Sequence, residues 1–202
     1  MKFSLKNSYI FFILVIAFQA NSQTTTNIPS TYLNDVKNNL VYDMSMSYKD
    51  YYGSGLLVMK KDALGQYHGV FLSKVGLKLM EFIIRKGEFE WLKLIEIMDK
   101  KASRKILERD FSMLMLSDLD YIKKTKSIKI KNEVEYYKVW STRKLLLEIK
   151  NARIQKEENR GGLNLTKTKI TFYYDKENTP KSVSLIHRNI DLKLELKLLE
   201  IQ

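Results

Sequence analysis

The side chains able to do chemistry are few and scattered. The chain of 202 residues has two histidines, His68 and His187, and no cysteine. Without a thiol there is no cysteine nucleophile, no thiolate metal site and no redox pair. The two histidines fall in different expected strands. Neither belongs to an HExxH pattern or any other close ligand spacing, and a metal site needs several converging ligands, so both read as ordinary strand residues. Gly53-Ser54-Gly55 and Gly161-Gly162 are the glycine-dense spots, and both read as turns. Neither has the Gly-x4-Gly-Lys-Ser/Thr form of a phosphate loop or the βαβ setting of a dinucleotide site. A Gly-x-Ser-x-Gly elbow is missing as well. Carboxylates are plentiful, but nothing in their spacing selects one pair for acid and base work. Asn164-Leu165-Thr166 fits a glycosylation sequon, a pattern short enough to arise by chance. The residues therefore nominate no catalytic group, no metal ligand and no cofactor, and the expectation is a protein that is not an enzyme.

What the sequence offers instead is adaptable apolar surface. Met44, Met46, Met59, Met80 and Met98 lie on expected strands among Phe and Tyr. Any single Met is more often a core filler. A whole face of them is suited to flexible apolar partners, because the unbranched thioether repacks easily, and such a face can line a cavity for acyl chains.

The elements that must position this face follow from periodicity. From Leu40 to Met98 the period is two: Tyr42, Met44, Met46 and Tyr48 alternate with Val41, Asp43, Ser45 and Ser47. Further strands are expected over Gly55–Lys60, Gln66–Ser73, Leu77–Arg85 and Glu88–Met98, with turns at Asp62–Gly65, Gly76 and Lys86-Gly87. From Lys100 to Leu116 the period becomes helical. Ala102, Ile106, Leu107, Phe111, Leu114 and Met115 form one stripe, and Asp99 stands where a cap belongs. Strand signals return over Ser127–Lys131, Val134–Trp140, Leu145–Lys150, Arg153–Glu157, Thr166–Tyr174 and Ser182–Leu199. In the last of these Leu192, Leu194, Leu196 and Leu198 alternate with Lys193, Glu195 and Lys197. The expected architecture is α+β, with a mostly antiparallel sheet of about ten or eleven strands and one covering amphipathic helix.

The amino end reads as an export signal. Lys2 and Lys6 precede the apolar run Tyr9 to Phe18, which is half the length needed to span a bilayer, and Ala20 and Ser22 fit a cleavage site before Gln23. The expected organisation is a cleaved signal peptide over 1–22, a flexible lead over 23–30 and one domain over 31–202, opening with a short helix over Thr31–Asn39. No cysteine follows the apolar run, so acylation of the mature chain is not expected. The expected location is the periplasm, with possible association with the outer membrane.

The formal charge is +12, and loss of Lys2 and Lys6 lowers it by two. In the cytoplasm such a charge points first to nucleic acid. After export the available anions are lipid headgroups, anionic glycolipids and acidic proteins, so an anionic membrane surface or an envelope protein is the expected partner and nucleic acid is not. The basic residues are spread along the chain, which fits plain solubility equally well.

Three short stretches carry a family resemblance. They are Ser54-Gly55-Leu56-Leu57 opening a strand, Val75-Gly76-Leu77-Lys78-Leu79 running on to Phe82, and Arg109-Asp110-Phe111 near the end of the helix. With the order meander, helix, meander, they make the chain resemble the periplasmic and outer-membrane lipoprotein-sorting (LolA/LolB-like) superfamily. The resemblance covers Leu40 to Leu116 and continues beyond only as strand order. It implies a curved, incomplete β-barrel whose concave face is apolar, closed by the helix, and able to hold lipid or lipoprotein acyl chains. On that reading the ligand face comprises Met44, Met46, Leu57, Met59, Phe82 and Ile84, with Ile106, Leu107 and Phe111 as a helical lid. Two alternatives stand beside the carrier: a structural or partner-binding envelope protein acting through a sheet edge, and a small outer-membrane β-barrel.

Overall fold

The computed structural model describes residues 28–33, 39–48, 50–161 and 166–201. The expected signal peptide therefore lies outside the described residues, as do most of the lead and most of the expected first helix. Thr31, Tyr32 and Leu33, at the start of that helix, are not helical.

Twelve strands form one antiparallel sheet. They are β1 (Leu40–Tyr48), β2 (Tyr51–Lys61), β3 (Tyr67–Ser73), β4 (Lys78–Arg85), β5 (Glu88–Leu94), β6 (Lys124–Lys131), β7 (Val134–Trp140), β8 (Lys144–Lys150), β9 (Arg153–Arg160), β10 (Thr166–Tyr174), β11 (Pro180–His187) and β12 (Leu192–Ile201). One helix, α1 (Lys101–Leu114), separates β5 from β6. The strand order is β5-β4-β3-β2-β1-β12-β11-β10-β9-β8-β7-β6. The two meanders thus meet at the centre, where β1 pairs with β12, and Met44 faces Leu196. The two edges, β5 and β6, are consecutive in the chain. Whatever joins them has to cross the open side of the curved sheet, and α1 lies in that connection.

Several expected boundaries move. The expected strand Glu88–Met98 ends at Leu94 and gives way to a 3₁₀ turn over Glu96–Met98. The expected last strand is two strands, β11 and β12, broken at residues 188–191. Asp99 does not cap α1. The helix starts after Lys100 with no side-chain cap, and Asp99 instead accepts a hydrogen bond from the Arg104 guanidinium. Gly53-Ser54-Gly55 is not a turn but lies inside β2. A Cβ on Gly55 would stand 2.0 Å from the Leu72 carbonyl oxygen of β3, so glycine is what lets the two backbones approach.

Among the described residues, three hairpins close with two-residue turns in which both central residues have positive φ: Lys86-Gly87, Asn132-Glu133 and Asn151-Ala152. This is the conformation whose twist matches that of paired strands. Leu116, just past α1, also sits in the left-handed region at φ 55°. Glycine is usual at such a helix end. Here the Leu116 side chain is buried in the core, and that burial offsets the backbone cost.

Candidate ligand-binding face

The inner face is built by period-two alternation. Tyr42 and Met44 of β1, Leu57 and Met59 of β2, Tyr67 and Phe71 of β3, and Met80, Phe82 and Ile84 of β4 all point to one side and are buried. The second meander continues the same face through Leu147 of β8, Ile170 and Phe172 of β10, Leu185 of β11, and Leu194 and Leu196 of β12. All of these, with Leu107, Phe111 and Leu114 of α1, belong to one apolar cluster.

The nine candidate residues fall as follows. Met44, Leu57, Met59, Phe82, Ile84, Leu107 and Phe111 are buried in that cluster, and Met46 packs against it while partly exposed. Ile106 is half-buried on α1 and stands apart from the cluster. Phe82 is the hub where sheet and helix meet. Its ring lies 4.6 Å from that of Phe111, 4.8 Å from Phe89 and 5.7 Å from Trp91, centroid to centroid. It also covers Gly69, its cross-strand neighbour, where an added Cβ would strike the ring at 2.2 Å. Trp91 ties the edge strand to the helix by donating its indole N–H to Glu108 Oε1 at 3.0 Å.

The resemblance covers Leu40 to Leu116, the first meander and the helix, and continues beyond only as strand order, so it names no inner residue of β8 to β12, although their alternation is equally regular. Three polar clusters on the inner side were missed altogether. In the first, His187 Nε2 lies 2.7 Å from Asp110 Oδ2, while His187 Nδ1 lies 3.1 Å from the Arg109 guanidinium and 3.3 Å from Thr168 Oγ1. Arg109 can only donate, so Nδ1 accepts from it and the Nε2 proton goes to Asp110. A hydroxyl, an imidazole and a carboxylate in series have the order of a catalytic triad. Thr168, however, is wholly buried, and the imidazole nitrogen nearest it is already bonded to Arg109. The cluster pins α1 to β10 and β11. Its signal was in the sequence: His187 keeps the parity of Val183 and Leu185, and Asp110 falls between Leu107 and Phe111 in the helical stripe.

In the second cluster, Asp118 accepts from Arg143 and from the Thr142 hydroxyl. Near it, Glu157 of β9 is wholly buried, and neither carboxylate oxygen has a hydrogen-bond partner. Burial first, and then the negative Asp118, push its carboxyl well above the usual glutamate range, while Arg143 pulls the other way. Glu157 was not legible because of a bulge: Ile149 pairs with Ile154 but Glu148 pairs with Lys156. The extra residue changes the parity, so both Ile154 and Glu157 face inward. In the third cluster, Tyr67 donates to Asp120 Oδ2 at 2.7 Å and Lys61 binds the same oxygen at 2.9 Å. This joins β2 and β3 to the segment after α1.

A cleft of about 480 Å³ opens at one end of the inner face, between the Pro29–Leu33 segment and the β8–β9 and β10–β11 turns. Its apolar wall includes Leu33, Leu40, Leu116, Ile154 and Tyr174. None of the nine candidate residues lines it. Thr31 and Tyr32 hold this segment against the end of α1 by donating to the carbonyls of Met115 and Leu114, both at 2.7 Å. Arg153 frames the polar rim, donating to the Asp175 and Lys176 carbonyls and to Asn178 Oδ1.

The sheet is open. Among the described residues β5 and β6 each pair on one side only, and a bilayer-spanning barrel must be closed to satisfy its edge groups, so the outer-membrane barrel is set aside. No described helix is long and apolar enough to cross a membrane.

No family model matches the sequence, and no curated protein matches it. Solved structures do match the fold. A protein domain from Vibrio parahaemolyticus, described as outer membrane lipoprotein-sorting, aligns with a TM-score of 0.51 at 10% identity over 81% of this chain and 84% of that one. A LolA superfamily protein from Nitrosomonas europaea aligns at 0.50 with 9% identity over 82% and 84%. A DUF1329 family protein from Desulfovibrio piger gives 0.50 at 7% identity over 84% and 87%.

Proposed function

We propose that this chain, which has the open, curved fold of lipoprotein-sorting proteins, is an exported, non-enzymatic carrier or binding protein for a lipid or an acylated protein terminus. The observation that carries this reading is the continuous apolar inner face, formed by both meanders and crossed by α1. The mechanism is burial. Each methylene withdrawn from water contributes about 0.8 kcal/mol, so partial sequestration of one acyl chain supports reversible carriage. On this reading Met44, Met46, Leu57, Met59, Phe82 and Ile84 meet the chain, and α1 moves over it with Ile106, Leu107 and Phe111. The cleft beside Leu33 and Tyr174 is the way in. Basic residues around the mouth meet anionic headgroups, and the protein works in the periplasm after cleavage of residues 1–22.

Native mass spectrometry of protein prepared from membranes tests this directly, together with titration of a fluorescent fatty acyl probe. The expected result is a bound lipid mass and saturable probe uptake. Absence of both removes the carrier reading.

A second reading rests on the edge strands. β6 is solvent-exposed along most of its length and carries Lys124, Lys126, Lys129 and Lys131. An edge of this kind can accept an acidic partner strand, although lysines also serve to keep edges from pairing. Co-purification of a protein partner without lipid favours this alternative.

A further inference from the structure

We propose that the Glu157 carboxyl is the polar recognition point of the inner face, hydrogen-bonding the carbonyl oxygen of an ester- or amide-linked acyl chain. The inference rests on the carrier reading and adds a specificity to it: chains bearing a carbonyl are preferred to plain hydrocarbon.

The geometry separates Glu157 from every other acid on the strands. Its immediate neighbour Glu158 is bonded to both Lys156 and Arg160. Glu157 points the other way, opposite Ile170 on β10 and Leu147 on β8, both buried residues of the apolar cluster. The cation facing it, Arg143, is engaged by Asp118. Buried polar groups in folded proteins are nearly always bonded, and leaving one unbonded costs about 1–3 kcal/mol, so the unbonded Glu157 carboxyl is poised to take a hydrogen-bonding partner.

The position suits a ligand that enters by the cleft. Ile154 lines the cleft, and Glu157 is the next inward residue along β9 after the bulge. Tyr174 lines it too, and Ile170, which faces Glu157, lies four residues further along β10, about 13 Å deeper at the rise of a strand. Along this stretch the inward residues of β9 and β10 beside Glu157, namely Ile154, Phe172 and Ile170, are buried and apolar. Burial and then Asp118 raise the carboxyl's pKa and so favour its un-ionised form, an O–H donor matched to a carbonyl oxygen.

The test measures displacement of a fluorescent acyl probe by methyl palmitate and by the alkane of matched length, with wild type, Glu157→Gln and Glu157→Leu. Wild type is expected to prefer the ester by about tenfold, the worth of one hydrogen bond in a dry site. Glu157→Gln keeps a donor and retains most of that preference. Glu157→Leu loses it while binding the alkane as wild type does, and its thermal unfolding, expected to rise, verifies that it folds. Equal affinity of wild type for both ligands, or an undiminished preference in Glu157→Leu, overturns the proposal and leaves the carrier reading standing. Binding of neither ligand by wild type overturns both.

Discussion

Asp110 of α1 and His187 of β11 meet at 2.7 Å, and neither side chain is more than 1% exposed. The helix that crosses the open side of the sheet is therefore fastened by a desolvated polar bond as well as by Phe111. Such bonds add little net stability when intact, but breaking one leaves a buried group without a partner.

Asp110→Ala leaves the His187 Nε2–H without its acceptor and takes from Arg109 its carboxylate contact at 3.2 Å, while Arg109 keeps His187 Nδ1. It is expected to destabilise the fold by about 3–5 kcal/mol in urea unfolding. His187→Gln, which keeps a donor within reach of Asp110, is expected to cost less than half of that. Equal losses in the two variants would mean that the pair does not act as a fastening.

Phe82 and Phe111 join sheet to helix by ring contact. Phe111→Ala removes a wholly buried ring and is expected to cost about 3–5 kcal/mol, because the twisted sheet and the helix cannot both collapse onto the cavity. Calorimetry of Phe111→Ala, Phe82→Ala and the double variant checks this. The two losses should be less than additive, since either change alone breaks the same contact.

Two glycines of β2, two residues apart, are expected to respond in opposite ways. Gly53 has nothing within 4 Å of an added Cβ, so Gly53→Ala should be neutral or slightly stabilising. Gly55→Ala places its methyl against the Leu72 carbonyl and should unpair β2 from β3. Amide exchange at Leu57 and Phe71 reads the difference.

Glu157 gives stability a defined pH dependence. Its folded pKa lies above its unfolded value of about 4.5. The folded state therefore holds the proton more tightly than the unfolded chain. Its contribution is fully present below the unfolded pKa and is lost as pH rises through the folded one. Glu157→Gln should remove this slope, so the variant's advantage in unfolding free energy grows with pH above the ordinary glutamate range. A difference independent of pH would show that the carboxyl ionises freely in the folded protein.

Trp91 reports on the helix, because its indole bonds Glu108 while its ring packs on Phe82 and Phe89. In a Trp140→Phe background it is the sole tryptophan. Entry of an acyl chain beneath α1 should part this bond and shift the emission. Saturation with probe and no spectral change would place the ligand elsewhere, with the outer end of the cleft as the remaining site.

The division between sequence and tertiary structure follows a physical line. Alternation in Tyr42, Met44 and Met46, and again in Leu192 to Leu198, determined the strands and their apolar side, because side-chain direction in a strand depends only on local parity. The stripe through Leu107, Phe111 and Leu114 determined the helix in the same local way. The tertiary structure decided what depends on partners distant in the chain. It joined β1 to β12, so that the two meanders share one inner face, and split the last long strand at residues 188–191. It moved the glycines of β2 from a turn into a strand and brought His187 to Asp110 across 77 positions. It also turned Glu157 inward through a single bulge. Parity cannot announce a register shift made against a neighbouring strand, and for that reason the inner face was legible in the sequence while the unpartnered Glu157 on it was not.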